Sequence, residues 1–140
     1  CRYLYHMAAG RYSFTLEQGT TVDFELRYTD SGSTPIDLSE YTGKMEIRST
    51  YSGSGETYAT LTSSLGDTYT KLTDNAFLSF SGSSLDKPTA SGSIGVYIGY
   101  ELTDALDFTG EAFYDLEITN GVIRTRLIEG RVLLSKQTTD

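Results

Sequence analysis

The sequence predicts an all-β domain folded as a two-layer antiparallel β-sandwich of about seven to nine strands. Three observations predict it. Alternating apolar and polar residues recur along the chain, with clusters of Gly, Ser, Asp and Pro between them. The 11 tyrosines and abundant threonine favour pleated strands, and the 14 glycines supply turns. Finally, Asn120-Gly121 stands between two runs rich in β-branched and aromatic residues, the strongest short-range sign of a two-residue hairpin turn.

That hairpin, residues 110–135, carries the clearest pattern. With a two-residue turn, Thr119 faces Val122, Ile118 faces Ile123, Glu117 faces Arg124, Leu116 faces Thr125, Asp115 faces Arg126 and Tyr114 faces Leu127. Side chains alternate across a strand, so Ala112, Tyr114, Leu116 and Ile118 share a core face with Ile123, Thr125 and Leu127. The other face pairs Asp115 with Arg126 and Glu117 with Arg124, each pair contributing roughly 0.2–1 kcal/mol. Arginine partners are expected to keep both carboxylates ionised and to lower their pKa. Gly130 is the expected site of a bulge that turns Val132 and Leu134 inward.

The remaining elements follow in order. Residues 1–9 read as an N-terminal arm that docks on a neighbour or as a reading-frame extension, with Met7-Ala8-Ala9 resembling a natural start. Residues 10–135 form the sandwich domain, and 136–140 a polar tail. Tyr12 to Leu16 alternates weakly. Val22, Phe24, Leu26 and Tyr28 then make a clean period-two strand with Asp23, Glu25 and Arg27 on its other face. Thr29 to Pro35 is a turn cluster, and Lys44 to Arg48 alternates again. Tyr58 to Thr62 and Phe77 to Phe80 are shorter strands. In Gly92 to Tyr100, the side chains of Ile94, Val96, Ile98 and Tyr100 are expected inward, with Gly95 and Gly99 between them. Glycines there weaken a strand and imply close approach of another backbone, the chain's own or a partner's. Leu102 to Leu106 is a single helical-looking turn.

Charge and composition exclude several functions. A formal net charge of -8 disfavours nonspecific attraction to nucleic acid or an anionic membrane surface. No apolar run approaches the roughly 20 residues of a spanning helix, and the first ten residues lack the apolar stretch of a signal peptide. With one cysteine, Cys1, no internal disulfide framework is expected.

The chain carries few of the patterns that mark catalysis. Acyl transfer by serine needs a base within hydrogen-bond reach, and the sole histidine, His6, lies in the N-terminal arm. Ser52-Gly53-Ser54-Gly55 and Ser81-Gly82-Ser83-Ser84 read as plain loops rather than phosphate cradles. The best cluster for calcium is Asp104, Asp107 and Glu111, without the spacing of a known calcium loop. The sequence therefore implies no enzyme, no cofactor and no metal. Tyr3, Tyr5, Tyr51, Tyr58 and Tyr69 are the side chains from which a sugar-stacking platform would be built.

Gly10 to Phe24, then Thr34-Pro35-Ile36-Asp37-Leu38-Ser39-Glu40-Tyr41 and on to Arg48, and finally Phe113-Tyr114-Asp115-Leu116-Glu117-Ile118 with Arg126-Leu127-Ile128-Glu129-Gly130, resemble the small immunoglobulin-like domains of tailed-bacteriophage virion proteins. The N-terminal domain of baseplate upper proteins is one of these. The resemblance implies an immunoglobulin-like sandwich and a non-enzymatic structural role in a virion, at tail, baseplate or neck. It also implies that Tyr114 caps a corner of the sandwich. Its partners would be other virion proteins and further copies of the chain, with a carbohydrate-binding module that attaches to host surface glycan as the alternative. The residues expected to make such contacts are Gly95, Gly99, Tyr97, Tyr51 and Tyr58, together with an exposed sheet edge.

Overall fold

Wherever the alternation is long, it becomes strand. The computed structural model describes residues 2–5, 10–30, 32–50, 55–63, 71, 75–82, 84–108 and 110–136. Its strands are β1 (Arg2–Tyr5), β2 (Gly10–Arg11), β3 (Phe14–Glu17), β4 (Val22–Thr29), β5 (Thr42–Arg48), β6 (Thr57–Ser63), β7 (Ala76–Ser79), β8 (Ser93–Ile98), β9 (Glu111–Thr119) and β10 (Arg124–Ser135). One short helix, α1 (Tyr100–Ala105), separates β8 from β9. The chain is the expected all-β, two-layer sandwich.

One layer runs β1-β4-β8-β7, and the other runs β2-β10-β9-β5-β6 with β3 also on β10. Strands β2 and β3 keep a single register along β10, Gly10 beside Ile128 and Phe14 beside Val132, so they are one edge strand interrupted at Tyr12-Ser13. The central pairings are antiparallel; parallel pairing is confined to β1 on β4 and to β2 and β3 on β10.

The core lies between the layers. Leu26 and Tyr28 of β4 and Ile94, Val96 and Ile98 of β8 meet Met45 and Ile47 of β5, Leu61 of β6, and Ala112, Tyr114, Leu116 and Ile118 of β9. These are the inward positions that period-two alternation assigns. Tyr100 departs from that pattern. It opens α1 and is 60% exposed, because the chain leaves β8 at Gly99, where the backbone N–H donates to the Asn75 carbonyl oxygen at 2.6 Å. Tyr12, Phe14, Phe24 and Tyr114 close the opposite side of the sandwich, with Phe14 edge-on to Tyr114 at 5.2 Å between ring centroids and to Phe24 at 5.6 Å. The Tyr114 hydroxyl donates to the Tyr12 carbonyl oxygen. It therefore secures the break in the edge strand.

The β9–β10 hairpin forms, but not with a two-residue turn. Thr119 pairs with Arg124, so residues 120–123 make a four-residue loop. Gly121 has φ 92°, whereas Asn120 keeps φ negative, and a type I′ turn needs both positive. Instead the Asn120 side-chain oxygen accepts from the backbone N–H groups of Val122 and Ile123 at 2.9 and 2.8 Å. Ile123, expected in the core, is consequently 53% exposed, and Val122 is 90% exposed. The bulge lies at Leu127, between the pairs Arg126–Glu117 and Ile128–Leu116, rather than at Gly130. There it lets Leu127 and Ile128 both be buried. Val132 still points inward and Leu134 packs against the core.

Candidate interaction surfaces

The outer face of the six-stranded layer is built from the polar positions of β5, β9 and β10. Cross-strand register sets Glu46, Asp115 and Glu129 in one row, with Lys44, Glu117 and Arg126 on one side of it and Arg48, Phe113 and Arg131 on the other. Arg126 lies 3.6 Å from Asp115 and 3.4 Å from Glu129, and Arg48 lies 3.6 Å from Glu46. The expected Asp115–Arg126 contact thus exists as a diagonal one. Arg124, however, stands across from Thr119 instead of Glu117, because the longer loop moves the register by two residues.

The pKa of Asp115 corrects the expectation for that carboxylate. Partial burial raises it, and the neighbouring Glu117 and Glu46 add to the rise against the opposing pull of Arg126 and Arg48. Burial first, and then the carboxylates of Glu117 and Glu46, outweigh the arginine partners.

At the hairpin end of this face lies a groove of about 400 Å³, lined by Thr42, Lys44, Ser63, Glu117, Ile118 and Arg124 among others. The Ser63 hydroxyl accepts from the Gly43 backbone N–H at 2.9 Å, which ties β6 to β5 beneath it. Beside the groove stand Val122 and Ile123, the most exposed large aliphatic side chains among the described residues. The other end of β9 carries α1, with exposed Tyr100, Glu101 and Asp104.

The contact residues expected from sequence do not form one surface. Gly95 is buried in the middle strand of its layer, between Glu25 of β4 and Ser79 of β7. Tyr97 is 9% exposed; its ring stacks on Phe77 at 5.1 Å and its hydroxyl donates to the Lys71 carbonyl oxygen at 3.2 Å. At Gly99 the approaching backbone is the chain's own, since a β-carbon there would lie 3.3 Å from the Asn75 carbonyl oxygen. Tyr58 is half-buried and stacks on Phe108 at 4.6 Å, which removes it from any sugar platform. Tyr51 and Tyr69, with the side chains of Tyr3 and Tyr5, lie outside the described residues, as does His6.

Two of the three carboxylates of the acidic corner are ion-paired. Asp107 meets Lys136 at 2.8 Å, which holds its carboxyl below the usual range, and Glu111 meets Arg131 at 3.6 Å. Among the described residues, no three His, Cys, Asp or Glu side chains converge on a metal position.

Sequence reasoning missed Tyr100, Val122 and Ile123 as surface features. For Tyr100 the available signal is the helical-looking turn from Leu102 to Leu106 that follows it, since the apolar alternation itself runs on through Gly99. For Val122 and Ile123 there is little signal, because β-branched residues after Asn-Gly also read as the start of a strand. Comparison with known proteins adds no family: no protein-family model matches this chain, and no curated protein matches it.

Proposed function

We propose that this protein is a non-enzymatic structural component of a bacteriophage particle, at tail, baseplate or neck, that acts through protein–protein assembly. One observation carries the assembly part: Val122 and Ile123, 90% and 53% exposed, crown a hairpin directly beside a charged groove. Exposed aliphatic side chains set against polar groups are how a contact surface combines affinity with orientation.

The virion part rests on the resemblance of three stretches to phage immunoglobulin-like domains. The strand order supports it as a fold-level analogy. With β4-β8-β7 in one layer and β10-β9-β5-β6 in the other, the β9–β10 loop would correspond, on that analogy, to the F–G loop of variable-type immunoglobulin domains. That loop, the β4–β5 connection and the end of β6 share one end of the sandwich, since Thr42 pairs with Thr119 and Gly43 with Ser63.

Light scattering after gel filtration, over a concentration series of the whole chain, tests the reading. Association into a defined multimer, lost when Val122 and Ile123 are both changed to Asp, is the expected result. A strict monomer at every concentration, with no phage particle protein retained on the immobilised chain, would overturn it.

A further inference from the structure

The two ends of the sandwich differ in chemistry, and the difference is complementary. We infer that copies of this chain associate head to tail, the β9–β10 hairpin of one copy seating on the α1 end of the next. The inference rests on the assembly reading above and names its partner as a second copy. Strand β9 runs from Glu111, just after α1, to Thr119, at the hairpin, so the two surfaces are separated by a strand of roughly 26–30 Å. They cannot meet within one molecule.

The hairpin end offers exposed Val122 and Ile123, with Arg124 exposed next to them and Lys44 in the adjoining groove. Arg124 makes no ion pair among the described residues. Glu117 shares the groove, and Asp37 and Glu40 stand exposed in the β4–β5 loop of this end, where Asp37 is engaged by Ser39. The positive charge is therefore local to the hairpin. The α1 end offers Tyr100, 60% exposed, with exposed Glu101 and Asp104 following it in the same short helix. Neither carboxylate has a cationic partner among the described residues, whereas Asp107 is already taken by Lys136.

An aromatic ring beside two carboxylates that lack a cationic partner among the described residues is a fitting seat for two aliphatic side chains followed by an arginine. The ring supplies apolar area at low entropy cost, and the carboxylates accept from the guanidinium. Pairing two hairpin tips with each other would instead bring Arg124 against Arg124 and leave Tyr100 uncovered. A contact between unlike surfaces is heterologous, so it propagates into a ring or a filament, depending on the rotation per step.

Complementing variants test this. A tip variant (Val122→Asp with Ile123→Asp) and an end variant (Tyr100→Ser with Glu101→Lys) each destroy one side of the contact. All four positions are exposed, and circular dichroism of each variant checks that it folds. Each alone should be monomeric by light scattering where the unmodified chain forms species larger than a dimer. A 1:1 mixture should recover a dimer and nothing larger, since one intact interface remains. Raising salt to about 1 M should weaken that dimer, because exposed charges are screened. An end variant that assembles like the unmodified chain overturns the head-to-tail contact while leaving assembly itself standing. A mixture that stays monomeric overturns it too. An unmodified chain that stays monomeric overturns self-association altogether. As a control that perturbs the fold least, Arg124→Glu alone should weaken assembly, and Arg124→Glu mixed with Glu101→Arg should restore it.

Discussion

Gly130 lies directly beneath Tyr12, so that a β-carbon added to it would collide with the Tyr12 carbonyl oxygen. The edge strand is interrupted at this point, and Tyr114 donates its hydroxyl to that same oxygen. Close approach and hydrogen bond act together: the missing side chain lets the edge strand come near, and the phenol holds it.

Two substitutions measure that arrangement. Gly130→Ala should destabilise by roughly 1–3 kcal/mol, because the edge strand must move away from β10. Tyr114→Phe should cost roughly 0.5–1.5 kcal/mol through the lost hydrogen bond while keeping the ring against Phe14. Combined, they should cost less than the sum, since the first already displaces the acceptor of the second. Urea unfolding of the two single variants and the double variant reads all three values. An additive result would mean the edge strand does not move.

The hairpin loop depends on Asn120 accepting two backbone N–H groups and on Gly121 holding φ 92°. Gly121→Ala should cost about 1 kcal/mol from the left-handed backbone alone. Asn120→Ala should cost roughly 0.5–1.5 kcal/mol. Both should also weaken assembly, because they loosen the tip that carries Val122 and Ile123. Thermal unfolding and light scattering on the same samples separate the two effects.

Two carboxylates should respond to pH with opposite sign. The Asp115 pKa is raised on folding, chiefly by burial, so its contribution to stability is fully present below the ordinary carboxyl range and is lost as pH rises through the elevated folded value. Asp115→Asn should therefore be more stable than the unmodified chain at neutral pH, with the gain disappearing in acid. The Asp107 pKa is lowered by the hydrogen bond and charge of Lys136, so its contribution is present above the ordinary range and lost as pH falls through the depressed value. Asp107→Asn should be slightly less stable at neutral pH, and equal to the unmodified chain once pH falls below that value. Denaturant midpoints between pH 2 and 7 decide; Asp115→Asn destabilising at pH 7 would show that its arginine contacts dominate.

Glu25 is nearly enclosed on the outer side of β4, and Lys87 reaches it at 2.7 Å from the segment before β8. Lys87→Met should destabilise by roughly 1–3 kcal/mol by removing that cation from beside a nearly enclosed carboxylate. Adding Glu25→Gln should recover part of the loss, which chemical denaturation of the pair would detect. No recovery would mean that Lys87 acts through packing of its stem.

The limits of legibility are specific. Alternation in β4, β8 and β9 names the buried residues Leu26, Tyr28, Ile94, Val96, Ile98, Ala112, Tyr114, Leu116 and Ile118, because a strand with one face in a core has only one tolerable phase. The same rule fails at Ile98–Tyr100, where alternation continues on paper while the chain turns into α1. It fails again at Gly95 and Tyr97, since a nominal outer face can be buried by the chain's own segments. The exposed hairpin tip depends on loop length, and Asn-Gly is compatible with more than one.

By itself, then, the sequence determined the fold class, the inward residues of the long strands and the existence of the β9–β10 hairpin, since period-two patterning and turn chemistry are local properties. Only the tertiary structure decided which strands became neighbours, the four-residue loop and the bulge at Leu127. It alone set Glu46, Asp115 and Glu129 in one row. These depend on contacts between distant segments: Glu46, which adds to the rise in the Asp115 pKa, lies on a strand nearly 70 residues earlier in the chain, and Gly130 meets a carbonyl more than 110 residues away.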